Sequence, residues 1–475
     1  MTLSQGFSFA LQFTSSVVLA RYLTPYEMGI SAVAFSVVGL LLVVQHIGLP
    51  AFIVRAEQLT DEVTATAFTV NAAVCVLLSG LIAAISVGGA AFLESPGVQQ
   101  VLLVLAITPL FGVFSFLPGA RLERDGRFKS IAMIATAGGI VGAVATIGFV
   151  VSGFSYMSVA YASVLSSAVL SLLVISSGRR YMSLRVGVAN WRDVASFAVQ
   201  MLAVSGVTSL AQRLSEIALA RLLGLASLGV FNRAVSMNGL LWNNIHAVVG
   251  RVVLVDFADL HRSGVSLRDR YLRTVAITTA FLWPSFAGLA VIAKPLVIYI
   301  YGEQWAPAVT PFALLSIASI LLVSVTMTWE LFTATGRLWL QTRIETARAF
   351  FSLITFVGGC FISLEAAAAA RIVDAFVAFV MYRKHINSMT DTVNADYWPI
   401  YKRSFAATLV AIAPASCLML LSGANGPGLV ALGAVIVSGA LLWFVYLRRI
   451  RHPIAEEIET TAAYRYCFGN ARSPA

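Results

Sequence analysis

The chain has 475 residues, of which 59% are hydrophobic and only 11% are charged. Soluble domains carry about 25% charged residues, so most of this surface must face a solvent other than water, and a soluble fold is excluded. The net charge of +10 does not indicate a nucleic acid partner, because the basic residues lie in short loops between apolar segments, where they orient membrane proteins.

Apolar segments long enough to cross a bilayer recur along the whole chain, since about 20 residues of helix span the hydrocarbon core. The first of them starts near Met1 and lacks the basic leader of a cleaved signal peptide. We place about fourteen transmembrane helices, called spans 1 to 14, at 3–21, 27–49, 64–91, 98–118, 130–152, 156–178, 195–218, 229–250, 272–300, 307–331, 345–363, 364–382, 401–422 and 428–447. The predicted fold class is therefore an all-α polytopic membrane protein.

Basic residues are distributed unequally between the loops on the two sides of these spans. Most of the 32 lysines and arginines fall in the loops of one side and in the C-terminal tail, whereas the opposite loops hold only Arg21 and Arg221. Cytoplasmic loops are enriched in basic residues, so both termini are predicted to be cytoplasmic. The outward loops are all too short to form a separate domain.

A gapless shift aligns residues 12–46 with 212–246 and indicates an internal repeat. Identical pairs include Gln12/Gln212, Ser15/Ser215, Leu19/Leu219, Ala20/Ala220, Arg21/Arg221, Gly29/Gly229, Ser36/Ser236, Gly39/Gly239 and His46/His246. Six predicted spans separate the copies, so both halves enter the membrane in the same direction. Two parallel six-helix lobes are a transporter architecture, and the last two spans stand outside them.

The repeat divides the chain into five predicted regions. They are an N-terminal six-helix lobe (1–178), a cytoplasmic interfacial linker (179–194), a C-terminal six-helix lobe (195–382), two extra transmembrane helices (383–447) and a cytoplasmic tail (448–475). The linker mixes basic, aromatic and apolar residues, as interfacial helices do.

Spans 1 and 7 each carry one stripe of polar side chains, at equivalent places in the repeat. The stripes consist of Gln5, Ser8, Gln12 and Ser15 in span 1 and of Ser205, Ser209, Gln212 and Glu216 in span 7. Polar groups are unfavourable in lipid, so both stripes should face protein or water. A water-filled cavity between the lobes and a dry, hydrogen-bonded helix interface are both open, and recurrence in the two halves favours the cavity.

Charged residues inside the predicted spans are candidates for ligand contact. Arg213 with Glu216, and Arg371 with Asp374, are three residues apart and can neutralise each other within one helix. Arg233 has no acidic residue within one turn, which makes it the stronger candidate for binding an anion. Glu216 and Asp374 are also candidates for coupling transport to an ion.

The sequence contains no recognisable catalytic or metal-binding constellation. The motifs GxxxxGK[ST], HExxH and GxSxG do not occur. The four cysteines show neither metal-ligand spacing nor a disulfide framework. We therefore predict no enzymatic activity, no metal site and no cofactor.

Short motifs in both halves are similar to those of a known family. They are LARYLTPYEMG (19–29), IGLPAFIVR (47–55), LARLLGLASLGVFNRA (219–234), RDRYLRTV (268–275), YGEQWAPA (301–308) and TATGRLWLQTR (333–343). From about residue 10 to 385 the chain resembles the polysaccharide transporters, Wzx-like flippases for lipid-linked oligosaccharides in the multidrug/oligosaccharidyl-lipid/polysaccharide exporter superfamily.

This resemblance implies flipping of undecaprenyl-diphosphate-linked oligosaccharide across the bacterial inner membrane, for exopolysaccharide, O-antigen or capsule synthesis. It implies alternating access through a cationic cavity between the lobes, lined by spans 1 and 7. Its motifs place arginine at Arg21, Arg55 and Arg221, which join Arg233, Arg213, Arg371, Gln12 and Gln212 as cavity candidates. The implied partners are the lipid-linked oligosaccharide, membrane lipids, and polysaccharide polymerase or chain-length proteins.

Three other functions are weighed against this one. A multidrug exporter of the same superfamily is the nearest alternative, although arginines suit an anion better than a cationic drug. A membrane enzyme acting on lipid-linked glycans is expected to carry catalytic groups on a sizeable outward loop, which the sequence lacks. A scaffold of a synthesis complex would not need the duplicated polar stripes.

Overall fold

The computed structural model describes residues 2–47, 49–55, 59–93, 95–183, 185–189, 191–422 and 427–454. Across these ranges the regular structure consists of α-helices and two short 3₁₀ segments, without a β-strand. An α-helix satisfies its backbone N–H and C=O groups internally, which segments in lipid require. The predicted all-α class is confirmed.

The first half of the chain is a succession of helices joined by short connections. It contains α1 (Thr2–Tyr22), α2 (Pro25–Ile47), α3 (Leu49–Arg55), α4 (Asp61–Leu93), α5 (Pro96–Leu105), α6 (Thr108–Arg124), α7 (Phe128–Val151), α8 (Met157–Ser177), the 3₁₀ turn Arg179–Tyr181, α9 (Trp191–Leu223) and α10 (Leu225–Arg262).

The second half continues in the same way. It contains α11 (Arg268–Val291), α12 (Ala293–Tyr301), the 3₁₀ segment Glu303–Ala308, α13 (Val309–Val323), α14 (Thr328–Ala334), α15 (Leu338–Cys360), α16 (Leu364–Thr390), α17 (Asn394–Leu421) and α18 (Leu429–Arg449). Each of the fourteen predicted spans overlaps one of these helices or two consecutive ones.

Nine helical segments of the described chain are long and apolar enough to cross a membrane. The five predicted spans outside that set lie in α1, α9, α10, α15 and α16. These helices contain the polar stripes and most of the charges within the predicted spans, which lowers their hydropathy. The chain is a multi-pass membrane protein, and the count of fourteen spans stays a prediction.

The packing of the helices divides the chain into two compact units. The first unit comprises 1–232 with 360–363, and the second comprises 233–359 with 364–475. In the first unit α7 packs along α8 and α2 along α9, and in the second unit α13 packs along α16 and α11 along α17. The boundaries of these units differ from those of the repeat, so the predicted lobes and flanking regions stay a prediction.

The linker 179–194 begins with the 3₁₀ turn Arg179–Tyr181 and ends in the first residues of α9. Its described residues between these two elements are not helical. It lies along the beginning of α4, where the Gly187 N–H donates to Thr69 Oγ1 at 3.0 Å. Arg185 forms an ion pair with Asp61 at 2.5 Å. Contacts to α4 therefore position the described part of the linker, which is not the interfacial helix that its composition suggested.

Span 10 is broken between α13 and α14, where Met327 has a φ of 57°. The carbonyls of the break find partners on three other helices. The Ser324 carbonyl oxygen accepts hydrogen bonds from Arg383 Nη2 at 3.0 Å and from Tyr401 at 2.7 Å, and Tyr271 donates to the Thr326 carbonyl at 3.3 Å. The sequence placed Arg383 in a loop, but α16 continues to Thr390 and buries it.

Candidate functional site

Two members of the polar stripe of span 7, Gln212 and Glu216, lie in a cluster on α9 around the carboxylate of Glu216. Glu216 accepts hydrogen bonds from Arg213 Nη1 at 3.1 Å and from Gln212 Nε2 at 3.3 Å. The Ser36 hydroxyl of α2 also donates to this carboxylate. Three donors on two helices therefore stabilise one buried negative charge, as an acid removed from water requires.

Arg213 is the accessible member of this cluster. Its side chain is 37% exposed, whereas the side chain of Glu216 is 11% exposed. A Cβ atom at Gly39 of α2 would lie 2.8 Å from Arg213 Nε, so the absent side chain makes room for the guanidinium. The arrangement presents a positive group that is oriented by its neighbours and still open to a ligand.

The sequence did not single out Ser36 or Gly39 as partners of α9. Both belong to identical pairs of the repeat, Ser36/Ser236 and Gly39/Gly239, and that was the available signal. The position aligned with Glu216 is Ser16, so the carboxylate is specific to the second copy. The stripe is duplicated, but its charge is not.

Asp374 belongs to a second carboxylate cluster, between α15 and α16. Arg348 binds it through two bonds, Nε to Oδ1 at 3.1 Å and Nη2 to Oδ2 at 3.0 Å. Arg348 Nη1 also contacts Glu345 at 3.2 Å, and the Tyr382 hydroxyl donates to the same glutamate. The bidentate partner of Asp374 is thus on the neighbouring helix, which the spacing to Arg371 does not reveal.

Arg371 and Arg233 are both packed against aromatic rings. Arg371 donates to Ser352 Oγ at 2.7 Å, and its guanidinium lies 4.3 Å from the ring centre of Phe356. Arg233 is 3% exposed. Its guanidinium lies 4.8 Å from the ring centre of Tyr301 and 5.1 Å from that of Trp305. Cation–π interactions of this kind stabilise a buried guanidinium.

The remaining candidates lie at matching positions of the two repeat copies. Gln12 and Gln212 are exposed on α1 and α9, and Arg21 and Arg221 are exposed near the ends of the same helices. Arg55 is the last residue of α3, and its side chain lies outside the described part of the structure. Their role in binding stays a prediction.

A family model described as a polysaccharide biosynthesis protein matches residues 18–310, which is more than half of the chain. The chain belongs to this family. The prediction made from the motifs in its two halves is thereby confirmed.

Curated relatives are similar to this chain at low identity. The succinoglycan biosynthesis transport protein ExoT of Rhizobium meliloti is 23% identical over 66% of this chain and 64% of its own length. The lipopolysaccharide biosynthesis protein WzxC of Escherichia coli is 22% identical, with the same coverage of 66% and 64%. The chain therefore spans just under two thirds of the length of these relatives.

Solved structures of membrane transporters share the fold. The lipid II flippase MurJ in its inward closed conformation aligns with a TM-score of 0.80 and 13% identity, over 95% of this chain and 99% of that chain. An inward-facing multidrug resistance transporter of the MATE family, in the MOP superfamily, aligns with a TM-score of 0.63 and 15% identity, over 81% and 96%. These similarities show a shared polytopic fold.

Proposed function

We propose that this protein flips undecaprenyl-diphosphate-linked oligosaccharide repeat units across the inner membrane for exopolysaccharide, O-antigen or capsule synthesis. Membership in a polysaccharide biosynthesis family supports this cargo class. The relatives named as transport and lipopolysaccharide biosynthesis proteins support it further. The oligosaccharide and its diphosphate must cross the hydrocarbon core, whereas the polyprenyl tail can remain in lipid.

The observation that carries the proposal is the partly exposed guanidinium of Arg213 on the polar face of α9. A guanidinium binds phosphate oxygens through a planar fork of donors, so it fits a diphosphate better than an ammonium group does. A cation in a wet cleft also lowers the barrier for moving an anion through the membrane. Arg213 is therefore our first choice for the diphosphate contact.

The exposed pairs Gln12/Gln212 and Arg21/Arg221 are proposed to extend this polar surface along α1 and α9, and Arg55 and Arg371 are further proposed contacts. Arg233 remains a proposed diphosphate contact of lower rank, since its burial against Tyr301 and Trp305 favours a packing role in this conformation.

The proposed mechanism is alternating access through a cationic cavity between the two repeats, with both termini in the cytoplasm. The sequence has no nucleotide-binding motif, so an ion gradient or downstream polymerisation supplies direction. Glu216 is the proposed coupling carboxylate, because its arginine partner is also the proposed cargo contact. Asp374 is the second candidate. Polysaccharide polymerase and chain-length proteins are the proposed protein partners.

Polymer export in a deletion strain tests Arg213 directly. Arg213→Met should reduce export by about tenfold or more, because hydrogen bonds to charged groups contribute about 1.5–3 kcal/mol. Arg213→Lys should keep part of the activity, since lysine keeps the charge and loses the fork. Immunoblots of membrane fractions must show unchanged abundance for each variant.

Removing Arg213 also leaves Glu216 with one donor fewer, and a double variant, compared with Glu216→Gln alone, controls for this effect. Arg213→Met combined with Glu216→Gln removes the cation without leaving a buried charge. Export by the double variant equal to that of Glu216→Gln, at normal abundance, would contradict a necessary role for Arg213. Arg233→Met gives the parallel test of the lower-ranked contact.

A multidrug exporter is the second candidate function, and the fold shared with the MATE family transporter is the observation behind it. Such a protein should lower the susceptibility of its host to cationic dyes and drugs. Unchanged susceptibility after deletion, together with accumulated lipid-linked repeat units on the cytoplasmic face, supports the flippase. Altered susceptibility with normal polymer export supports the drug exporter.

A further inference from the structure

Two glycines at equivalent positions of the repeat pack closely against each other's helix, Gly29 on α2 and Gly229 on α10. A Cβ atom at Gly29 would lie 1.8 Å from the carbonyl oxygen of Leu225. A Cβ atom at Gly229 would lie 2.0 Å from the carbonyl oxygen of Pro25 and 3.0 Å from the nitrogen of Gly29. Neither position can hold a larger residue unless the helices shift.

The two copies of the repeat make the same contact with each other. The shift that aligns Gly29 with Gly229 also aligns Pro25 with Leu225, so each glycine meets the same carbonyl of the other copy. Equivalent surfaces that meet in this way form an isologous contact about a two-fold axis. Leu228 beside the crossing is fully buried. The crossing is therefore close-packed, at the helix ends that the sequence predicts to face outward.

The beginning of α2 is held by residues of its own half. Thr24 and Glu27 form a capping box, in which the Thr24 N–H donates to Glu27 Oε2 at 2.8 Å and the Glu27 N–H donates to Thr24 Oγ1 at 3.3 Å. Ser155 in the connection between α7 and α8 donates to Glu27. The Ser31 hydroxyl donates to the Tyr156 carbonyl at 3.0 Å.

The beginning of α10 is held by residues that follow it in the second half. One turn after Gly229, the Arg233 guanidinium packs over Tyr301 and Trp305. The residue aligned with Arg233 in α2 is Val33, so the two anchors use different chemistry. Each helix thus has an anchor in its own half, and the two glycines meet through backbone packing. Further along α2, Ser36 also donates to Glu216 of α9, so the copies share a polar contact beside the crossing.

We propose that the Gly29–Gly229 crossing is the outward-facing seal of the transport path, and that it parts and reforms in each cycle. Backbone packing between small residues lets two helices approach closely, and no side-chain hydrogen bond is lost at the glycines themselves when they part. The Ser36–Glu216 hydrogen bond beside them is exchanged for water when the path opens. Two rigid elements that meet at such a contact can switch between discrete closed and open arrangements. This inference rests on the proposed transport function and does not depend on the cargo.

Thiol labelling tests whether the crossing acts as a seal. The background variant replaces Cys75, Cys360, Cys417 and Cys467 with alanine and carries Ala34→Cys, a fully buried reporter position on α2. Whole cells are treated with a membrane-impermeant maleimide. Adding Gly29→Ala or Gly229→Ala should raise the labelling rate about tenfold, because a clash with a backbone carbonyl shifts the population toward the open state.

Gly80→Ala and Gly288→Ala are the matched controls, since a Cβ atom at either glycine would meet nothing within 4 Å. Both controls should leave the labelling rate unchanged. Equal labelling in the seal variants and the controls would overturn the proposal. So would a loss of thermal stability in the seal variants without faster labelling, because that result indicates ordinary packing.

Arg233→Met provides a second route if the alanine variants fail to accumulate. It loosens the anchor of α10 without placing an atom in the crossing, and it should also raise labelling of the reporter. Unchanged labelling of this variant overturns the proposal. Labelling does not depend on the cargo. If labelling is faster in the variants but the protein proves unnecessary for polymer export, the proposed cargo is rejected and the proposed seal is retained.

Discussion

Glu216 on α9 and Asp374 on α16 are both buried carboxylates bound by arginine, but their arginines differ in exposure and geometry. Arg213 is 37% exposed and reaches Glu216 through one nitrogen, whereas Arg348 is 22% exposed and binds Asp374 through two. A bidentate, enclosed pair is unfavourable to separate. A single bond at an open side chain can be exchanged for a ligand.

The comparison indicates different roles for clusters that look alike in the sequence. Arg348 also contacts Glu345, so two acids depend on one enclosed arginine. This arrangement ties α15 to α16 and suits a structural role. The cluster around Glu216 leaves its cation open and suits a binding role. Variants in the two clusters should therefore separate stability from transport.

The largest effect is expected from Arg348→Met. This change leaves Asp374 and Glu345 without their shared cation, and breaking a buried ion pair costs about 3–5 kcal/mol. The variant should lose membrane abundance and melt at a clearly lower temperature in detergent. Adding Asp374→Asn should restore part of the loss. A stable single variant would show that the cluster is not structural.

Acidification should have the next largest effect, through His452 beyond the end of α18. His452 is buried, and its pKa is lowered from the usual 6.5 to about 4. Burial is the larger cause, and the nearby positive charge of Arg403 is the smaller one. Between these values the unfolded state binds a proton that the folded state excludes, so stability falls as the pH drops below 6.5. The expected loss at pH 5 is about 2 kcal/mol.

Melting curves at several pH values check this prediction in the wild type and in His452→Asn. The variant should lose most of the difference between pH 7 and pH 5. The measurement also sharpens the comparison of the two clusters, because it separates acid destabilisation at the end of α18 from any pH effect at Glu216. An undiminished pH effect in the variant would place its source elsewhere.

Gly39→Ala should have a smaller effect on stability and a measurable effect on export. The added Cβ atom would lie 2.8 Å from Arg213 Nε, so the flexible guanidinium must move. An adjustment of this kind costs about 1 kcal/mol. Export should fall, because Arg213 loses its position beside Glu216. Gly139→Ala on α7, where a Cβ atom would meet nothing within 4 Å, should export normally.

The sequence predicted the elements of this fold better than the interactions between them. Helical length, loop charge and the repeat predicted the helices and the polar face that carries Gln212 and Glu216. Spacing along one helix holds no information about the neighbouring helix, so Ser36 was missed as a partner of Glu216 and Arg348 as that of Asp374. The break at 324–327 was missed because no proline marks it.

The smallest stability effect is expected from Glu216→Gln. Glutamine keeps the shape of the side chain and can still accept hydrogen bonds, and only the ion pair with a partly solvated arginine is lost. The arginine left behind is 37% exposed and stays solvated, so the net loss should be less than about 1 kcal/mol. The variant should therefore match the wild type in abundance and melting temperature. Its export is expected to fall, since Glu216 is the proposed coupling carboxylate.

The pH profile of export decides between coupling and simple positioning by Glu216. If the carboxylate exchanges an ion while Arg213 binds the cargo, Glu216→Gln should flatten the profile in a background that carries His452→Asn. If Glu216 only positions Arg213, export should drop by the same factor at every pH. Asp374→Asn is the matched variant in the second cluster, and a flattened profile there with normal abundance would reverse the roles that the comparison assigns.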